Sequence, residues 1–354
     1  MHKIWLIGMH DLSNYGDCMF SHIFAYKMRG LGRRIEYVSL TGSKSIFRDA
    51  VRSVSIEEAE AQIQKGDTVI VGGGNIISDV PMTFFESRDT PYRESHTGVD
   101  LWLRGLEIAQ ERKCKSIIAG AGAFAPLKKA TMQRWKSVKG RVDYIAWRDS
   151  STWQIMGKQE GELIRPDMAV DKDIVRIFLG SEEIKKEDKI LVNLRPRSLN
   201  GANTKRARKA LEELAVKWGL PLVFHSNSYS HNDGEICKLL GFKQEGKRPI
   251  TEQPKTIRES FRSIASSRLV VTSSMHTYIT AVAANNPVIL ITRPRYNKFK
   301  GVTEACQSPG YITSSWDDIG GVGKGTEGIR GHLGDEMLLQ EEHWKKVRMI
   351  VEVE

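Results

Sequence analysis

Short apolar runs alternate along this chain with stretches whose apolar residues recur at helical spacing, and the alternation begins at once. Lys3 to Gly8 predicts a buried strand, Cys18 to Arg29 a helix, Ile35 to Leu40 a strand and Ile56 to Gln64 a helix. The rhythm continues with a strand at Thr68 to Val71, a helix over Val99 to Gln110, a strand at Ser116 to Ala119, a helix over Lys128 to Val138 and a strand at Val142 to Trp147. Strands apolar at every position are buried on both faces, so the pattern predicts a parallel sheet covered by helices on both sides.

The pattern then breaks. Glu162 to Val170 leads into Ser181 to Asp188 (SEEIKKED), a charged stretch with no apolar face, and the domain boundary is expected there. After it the alternation restarts: strands at Lys189 to Asn193 and Pro221 to His225, helices over Thr204 to Trp218, Asp233 to Leu240 and Lys255 to Ser266. Ser267 to Thr292 (SRLVVTSSMHTYITAVAANNPVILIT) completes a βαβ unit, and Asp335 to Ile350 has a helical period. The expected organisation is an N-terminal Rossmann-like domain over 1–180, a C-terminal one over 181–334, and a final helix over 335–354 that packs back on the first.

Length and composition agree with this division. A chain of 354 residues exceeds the usual limit of a single core, about 250–300 residues. With 40% hydrophobic and 27% charged residues the composition is that of a globular protein. No apolar run approaches the 18 or so residues of a membrane span. MHKIWLIG is too short, and lacks the cleavage site, for a signal peptide; a cytoplasmic location is the expectation. Cys18, Cys114, Cys237 and Cys306 are too far apart for a zinc or redox motif and read as free thiols. The net charge of +10 favours an acidic partner: a phosphorylated metabolite, an anionic lipid surface or nucleic acid. No nucleic-acid recognition motif is present, so that partner is not expected.

Candidate chemistry sits where strands end. In a βαβ unit the loop after the first strand and the N-terminus of the helix face the ligand, and His276 occupies that position, beside Ser273 and Ser274. Such a helix end attracts phosphate or carboxylate. Arg195 ends the first strand of the second domain and is the leading anion anchor, because a guanidinium grips these groups in bidentate fashion. Lys298 and Lys300 follow the last strand of the βαβ unit. In the first domain the turn after the first strand holds Ser13, Asn14, Gly16 and Asp17, which read equally well as turn and cap chemistry. Gly72, Gly73 and Gly74 end a strand without the spacing of a dinucleotide fingerprint or a P-loop. Close approach of a ligand and close approach of a helix explain them equally. Arg148 follows another strand and suits either an anion or a structural ion pair with Asp149 or Asp167.

In this order and at these intervals, Asn14-Tyr15-Gly16-Asp17, Gly72-Gly73-Gly74, Arg148-Asp149-Ser150-Ser151, Arg195 and Ser274-Met275-His276 resemble the polysaccharide pyruvyl transferase family, from about residue 8 to residue 306. One position departs from the family pattern: Ser274 stands where the family carries arginine, so that either Arg293, Arg295 or Lys298 replaces that anion contact or the donor differs. The resemblance implies two Rossmann-like domains facing across a cleft, similar to the GT-B glycosyltransferases. It implies phosphoenolpyruvate as donor, a pyruvate ketal on a cell-surface saccharide or its precursor as product, and no metal or cofactor. By the same resemblance Arg195, Ser273, Ser274, His276, Lys298 and Lys300 would bind the donor. Asn14, Gly16, Asp17, Gly73, Gly74, Asn75 and Arg148 would serve the acceptor. His276, Arg195 and Asp17 would be the catalytic groups. A lipid-linked acceptor would place the protein peripherally at the inner face of an anionic membrane. The rival expectations are a GT-B-type glycosyltransferase using a nucleotide sugar and a non-catalytic module binding anionic ligands or glycans.

Overall fold

The computed structural model describes residues 2–85, 92–123, 125–199, 201–242, 250–293, 297–326 and 328–353. The chain forms two compact units. Met1–Ile46, Ala50–Met168 and Leu338–Glu354 make the first, Phe47–Asp49 and Ala169–Met337 the second.

The first unit runs β1 (Ile4–Ile7), α1 (Tyr15–Lys27), β2 (Ile35–Ser39), β3 (Val54–Ser55), α2 (Ile56–Gln62), β4 (Thr68–Gly72), α3 (Val99–Glu111), β5 (Lys115–Ala121), α4 (Lys129–Val138), β6 (Tyr144–Trp147), α5 (Ser150–Ile155) and β7 (Leu163–Ile164). Its strands form one sheet in the order β3-β2-β1-β4-β5-β6-β7, parallel throughout. Ile4, Trp5, Leu6, Ile7, Val69, Ile70 and Val71 are essentially inaccessible, as strands covered on both faces require. Beneath α3 and α4, Trp102, Trp135 and Trp147 pack with ring centroids 6.0 and 5.7 Å apart, a geometry that favours edge and tilted aromatic contact.

The second unit continues with α6 (Ile174–Leu179), β8 (Glu187–Asn193), α7 (Gly201–Trp218), β9 (Leu222–His225), α8 (Ile236–Leu239), β10 (Ile250–Glu252), α9 (Ile257–Ser266), β11 (Ser267–Thr272), α10 (Met275–Ala283), β12 (Val288–Ile291), α11 (Asn297–Glu304), β13 (Cys306–Pro309), β14 (Tyr311–Thr313) and β15 (Gly331–Leu333). A parallel sheet has the order β10-β9-β8-β11-β12-β14, and β13 pairs with β15 in a small antiparallel ribbon. α9 begins at a capping box: Thr256 Oγ1 accepts from the Glu259 N–H while Glu259 Oε2 accepts from the Thr256 N–H.

Packing divides the chain at Met168 and Ala169, where the sequence reading divides it at 180 and 181. The reason is α6, which the sequence reading leaves unassigned: Phe178 stacks on Phe261 of α9 with centroids 4.9 Å apart. The last helix, α12 (Glu336–Glu352), returns to the first unit. There Trp344 meets Phe24 edge-on, His343 Nδ1 lies 2.8 Å from the Tyr144 hydroxyl, and Arg348 Nη1 donates to the Lys27 carbonyl at 2.6 Å. Burial pushes the His343 imidazole down to about 3, so it is neutral and serves as a packed core group.

Strand order fixes where ligands bind. In each sheet the connections reverse direction at one point, between β1 and β4 in the first unit and between β8 and β11 in the second. Loops leaving the carboxyl ends of strands on either side of such a point splay apart and leave a crevice lined by backbone N–H groups and helix N-termini.

Candidate active site

In the second unit, the two segments at the reversal point are Leu194–Leu199 after β8 and Ser273–His276 after β11. They are bound to each other. The Arg195 N–H donates to Ser273 Oγ at 2.8 Å, and Arg195 Nη2 donates to Ser274 Oγ at 3.3 Å. Ser198 Oγ donates back to the Arg195 carbonyl at 2.6 Å, and Ser273 Oγ donates to Ser198 Oγ at 3.3 Å. Ser274 is the N-cap of α10, yet its side chain makes no cap bond, because its hydroxyl accepts the guanidinium instead. His276 lies in the first turn of α10 and is 9% exposed. Guanidinium and helix N-terminus thus belong to one bonded cluster, with the imidazole in the first turn of the same helix, a combination suited to binding a small anion.

Ser274 is the position at which the resemblance leads one to expect an arginine. The guanidinium reaching that position comes from Arg195. Of the other candidates, Arg293 Nη1 donates to the Ser314 carbonyl at 3.3 Å, and Arg295 and the Lys298 side chain lie outside the described residues. Lys300 sits on α11 with its Nζ 3.7 Å from Glu304, and its side chain is 77% exposed.

Behind Arg195 lies a layer that the sequence reading misses. Arg195 Nη1 donates to Asp233 Oδ1 at 3.2 Å, and the Asp233 side chain is fully buried. Asn193, the last residue of β8, donates to Asp233 Oδ2 at 3.2 Å and to the His225 carbonyl at 2.8 Å, and accepts from Thr277 Oγ1 at 2.8 Å. Asn227 Nδ2 donates to Thr277 Oγ1 at 3.0 Å. A signal for this layer exists in the sequence: a polar residue closing an apolar strand (ILVN), and a run of small polar residues after β9 (SNSYSHND). Burial raises the Asp233 carboxyl to about 6, although Arg195, Asn193 and Arg197 pull the other way.

A second histidine is structural. His225 Nε2 lies 2.9 Å from Ser260 Oγ and its Nδ1 3.3 Å from Glu252 Oε2, which superficially resembles a nucleophile relay. Both His225 and Ser260 are buried at the sheet, and a hydroxyl inaccessible to solvent meets no substrate. Burial holds His225 below its ordinary range. Burial would raise Glu252, but hydrogen bonds from His225, Lys189 and Ser263 outweigh it and bring the carboxyl to about 2.

In the first unit the reversal point brings together Asn14, Gly16 and Asp17 after β1 with Gly72–Asn75 after β4. Asn14 caps α1, its Oδ1 accepting from the Gly16 N–H at 3.0 Å. Gly73 and Gly74 have φ of +80° and +66°. A methyl on Gly73 would stand 2.6 Å from the Phe20 ring, and one on Gly74 would stand 2.8 Å from Asp17 Oδ1. Gly73 and Gly74 therefore admit the close approach of α1. Gly74→Ala combines positive φ with this clash and is expected to lower stability by about 1–3 kcal/mol in urea unfolding. Gly140→Ala, built into open space, is the control expected to stay within about 0.5 kcal/mol.

Arg148 is 4% exposed and ties together three elements. Its Nε donates to Asp149 Oδ2 at 3.1 Å, its Nη2 to Asn75 Oδ1 at 2.7 Å, and its Nη1 lies 4.0 Å from Asp167 Oδ2. Asp149 also caps α5 through the Thr152 N–H at 2.7 Å. Both ion-pair partners expected from sequence are engaged, and the guanidinium orients the Asn75 amide.

Among the described residues no group of three or more His, Cys, Asp or Glu side chains is placed to hold a metal ion, and no helix is long and apolar enough to cross a membrane. The four cysteines are free thiols.

Comparison with known proteins adds two findings. The family model described as polysaccharide pyruvyl transferase matches residues 14–294, which include every one of the five motifs. No curated protein gives a significant match. Among solved structures, the chain is similar to Methanocaldococcus jannaschii UDP-GlcNAc 2-epimerase in complex with UDP-GlcNAc and UDP (12% identity, 99% of each chain covered, TM-score 0.60). It is also similar to UDP-N-acetylglucosamine 2-epimerase from Rickettsia bellii (12% identity, 99% and 96% covered, TM-score 0.57). A third is S. aureus MnaA with UDP (16% identity, 99% and 90% covered, TM-score 0.51). At such identities the likeness establishes the α/β fold with two Rossmann-like units and nothing about substrate.

Proposed function

The chain belongs to the polysaccharide pyruvyl transferase family, and from that membership we propose that it transfers the pyruvyl group of phosphoenolpyruvate to a saccharide, leaving a cyclic ketal and inorganic phosphate. The observation that carries the choice of donor is the bonded cluster of Arg195, Ser273 and Ser274 at the reversal point of the second unit, with His276 in the first turn of the helix that Ser274 caps. Phosphoenolpyruvate presents a phosphate and a carboxylate, which suit a guanidinium and a helix N-terminus. Its reaction also begins with a proton transfer, which suits an imidazole.

In this reading Arg195 holds the donor anion. His276 delivers a proton to C3 of the enol, and C2 becomes oxocarbenium-like. One sugar hydroxyl adds to C2 and loses its proton, the C2–O bond to phosphate breaks, and a second hydroxyl adds to close the ketal. One molecule of phosphoenolpyruvate and one diol give one ketal and one hydrogen phosphate. On the first unit, Asn14, Asp17 and Asn75 are the proposed acceptor contacts, with Arg148 acting through Asn75. The reading requires no cofactor beyond the donor.

The test follows phosphate release from phosphoenolpyruvate in the presence of a saccharide panel, in parallel with uridine diphosphate release from nucleotide sugars. Saccharide-dependent phosphate release supports the reading. Release of uridine diphosphate alone supports the nucleotide-sugar alternative, whose appeal is the fold shared with UDP-GlcNAc 2-epimerases. Neither release, with saturable glycan binding, would leave a binding module.

Peripheral contact with an anionic membrane belongs to the same proposal. Lys128 to Arg141 carries six basic residues and no acidic one, mostly exposed on α4 and the residues flanking it. Such clusters bind anionic headgroups electrostatically. Sedimentation with phosphatidylserine-containing vesicles is expected at low salt and lost at high salt; equal partitioning to neutral vesicles would contradict it.

A further inference from the structure

We infer that Asp233 is the positioning residue of the donor site, fixing the Arg195 guanidinium and the turn that carries His276 in a single register. The inference rests on the proposed donor role of Arg195. Its warrant is geometric. A guanidinium on a long flexible side chain aims at a substrate only if something behind it selects one rotamer, and the group behind Arg195 is Asp233. The two oxygens of that carboxylate are divided: Oδ1 takes Arg195 Nη1 and Oδ2 takes Asn193 Nδ2, each at 3.2 Å. Asn193 Oδ1 in turn accepts from Thr277 Oγ1 at 2.8 Å, and Thr277 is the neighbour of His276 in the first turn of α10. The chain of bonds therefore runs guanidinium, carboxylate, amide, hydroxyl, and ends one residue from the imidazole.

The position of Asp233 is itself fixed. It opens a 3-10 turn directly after Asn232, whose φ of +56° turns the chain back toward β8, and its N–H donates to the Ser228 carbonyl at 3.4 Å. The charged groups acting on it are Arg195 and Arg197, both on the segment following β8, and Asn193, which donates to its Oδ2, is neutral. Because burial lifts this carboxyl to about 6, it takes up a proton in mildly acid solution and then holds the guanidinium through a neutral instead of a charge-assisted bond.

The experiment is calorimetric titration of phosphoenolpyruvate, without acceptor, into the wild-type protein, Asp233→Ala and Asp233→Asn between pH 5 and 8. Wild-type Kd is expected to rise as pH falls through about 6. Part of that rise belongs to protonation of the substrate's own phosphate and is common to all three proteins. The additional step should vanish in both variants, whose Kd at pH 8 should be weaker than wild type by roughly tenfold for Ala and less for Asn. Asp233→Asn keeps the volume and one acceptor oxygen, and so reports where Asp233→Ala fails to fold. Wild-type affinity and pH profile in both variants would overturn the positioning role. Absence of any binding to the wild-type protein would instead overturn the donor reading on which it rests.

Discussion

Arg195→Ala is expected to lower kcat/KM for phosphoenolpyruvate roughly 100- to 1,000-fold, or about 3–4 kcal/mol of transition-state stabilisation. Two effects add. The variant loses the charge-assisted bonds to the donor anion. It also removes the arginine side-chain bonds to Asp233 and Ser274 that tie the segment after β8 to those after β9 and β11. The Asp233 carboxyl, deprived of its guanidinium in a fully buried place, is driven further toward its neutral form. Arg195→Lys should recover little, because an ammonium cannot engage Asp233, Ser274 and a substrate oxygen with the geometry of a planar fork. The phosphate-release assay measures both variants. Retention of more than about a third of wild-type kcat/KM in Arg195→Ala would remove Arg195 from the donor site.

His276→Ala should act on a different parameter. If the imidazole moves the proton to C3, kcat falls roughly 100- to 10,000-fold while KM for phosphoenolpyruvate stays within a few-fold of wild type. His276→Gln, which keeps a hydrogen-bonding side chain but cannot transfer the proton, should be equally impaired. A rise in KM with unchanged kcat would reassign His276 from proton transfer to donor binding. Together with Arg195 the pair separates positioning of the anion from proton movement, and the two single variants are not expected to add, since both residues serve one cluster.

Both sheets and the strands on which these residues depend are legible in the sequence because parallel strands buried on both faces leave uninterrupted apolar runs, such as Ile4 to Ile7 and Leu269 to Val271. That Arg195 and His276 stand at their carboxyl ends follows from topology alone. What the sequence conceals is pairing at a distance. Asp233 lies 38 residues from Arg195, and Thr277 lies 84 from Asn193; no local period marks either bond. The expected helix over Asp233 to Leu240 illustrates the same limit: Asn232 in the left-handed region starts a 3-10 turn, and the α-helix proper is only Ile236–Leu239. Likewise Ser181 to Asp188 reads as a charged linker, yet β8 begins inside it at Glu187 and α6 precedes it. Charge patterning reports solvent exposure, whereas the edge of a packed unit is set by contacts such as Phe178 on Phe261. The triple glycine shows how one signal serves two causes: that Phe20 and Asp17 pack closely on Gly73 and Gly74 is a contact no local pattern marks.

The proposed reaction is tested most directly by the mass of its product. A saccharide panel offered phosphoenolpyruvate and nucleotide sugars together should yield, by mass spectrometry, one species heavier than its acceptor by a pyruvate less one water. A glycosyl increment instead, with phosphoenolpyruvate left intact, would contradict the account.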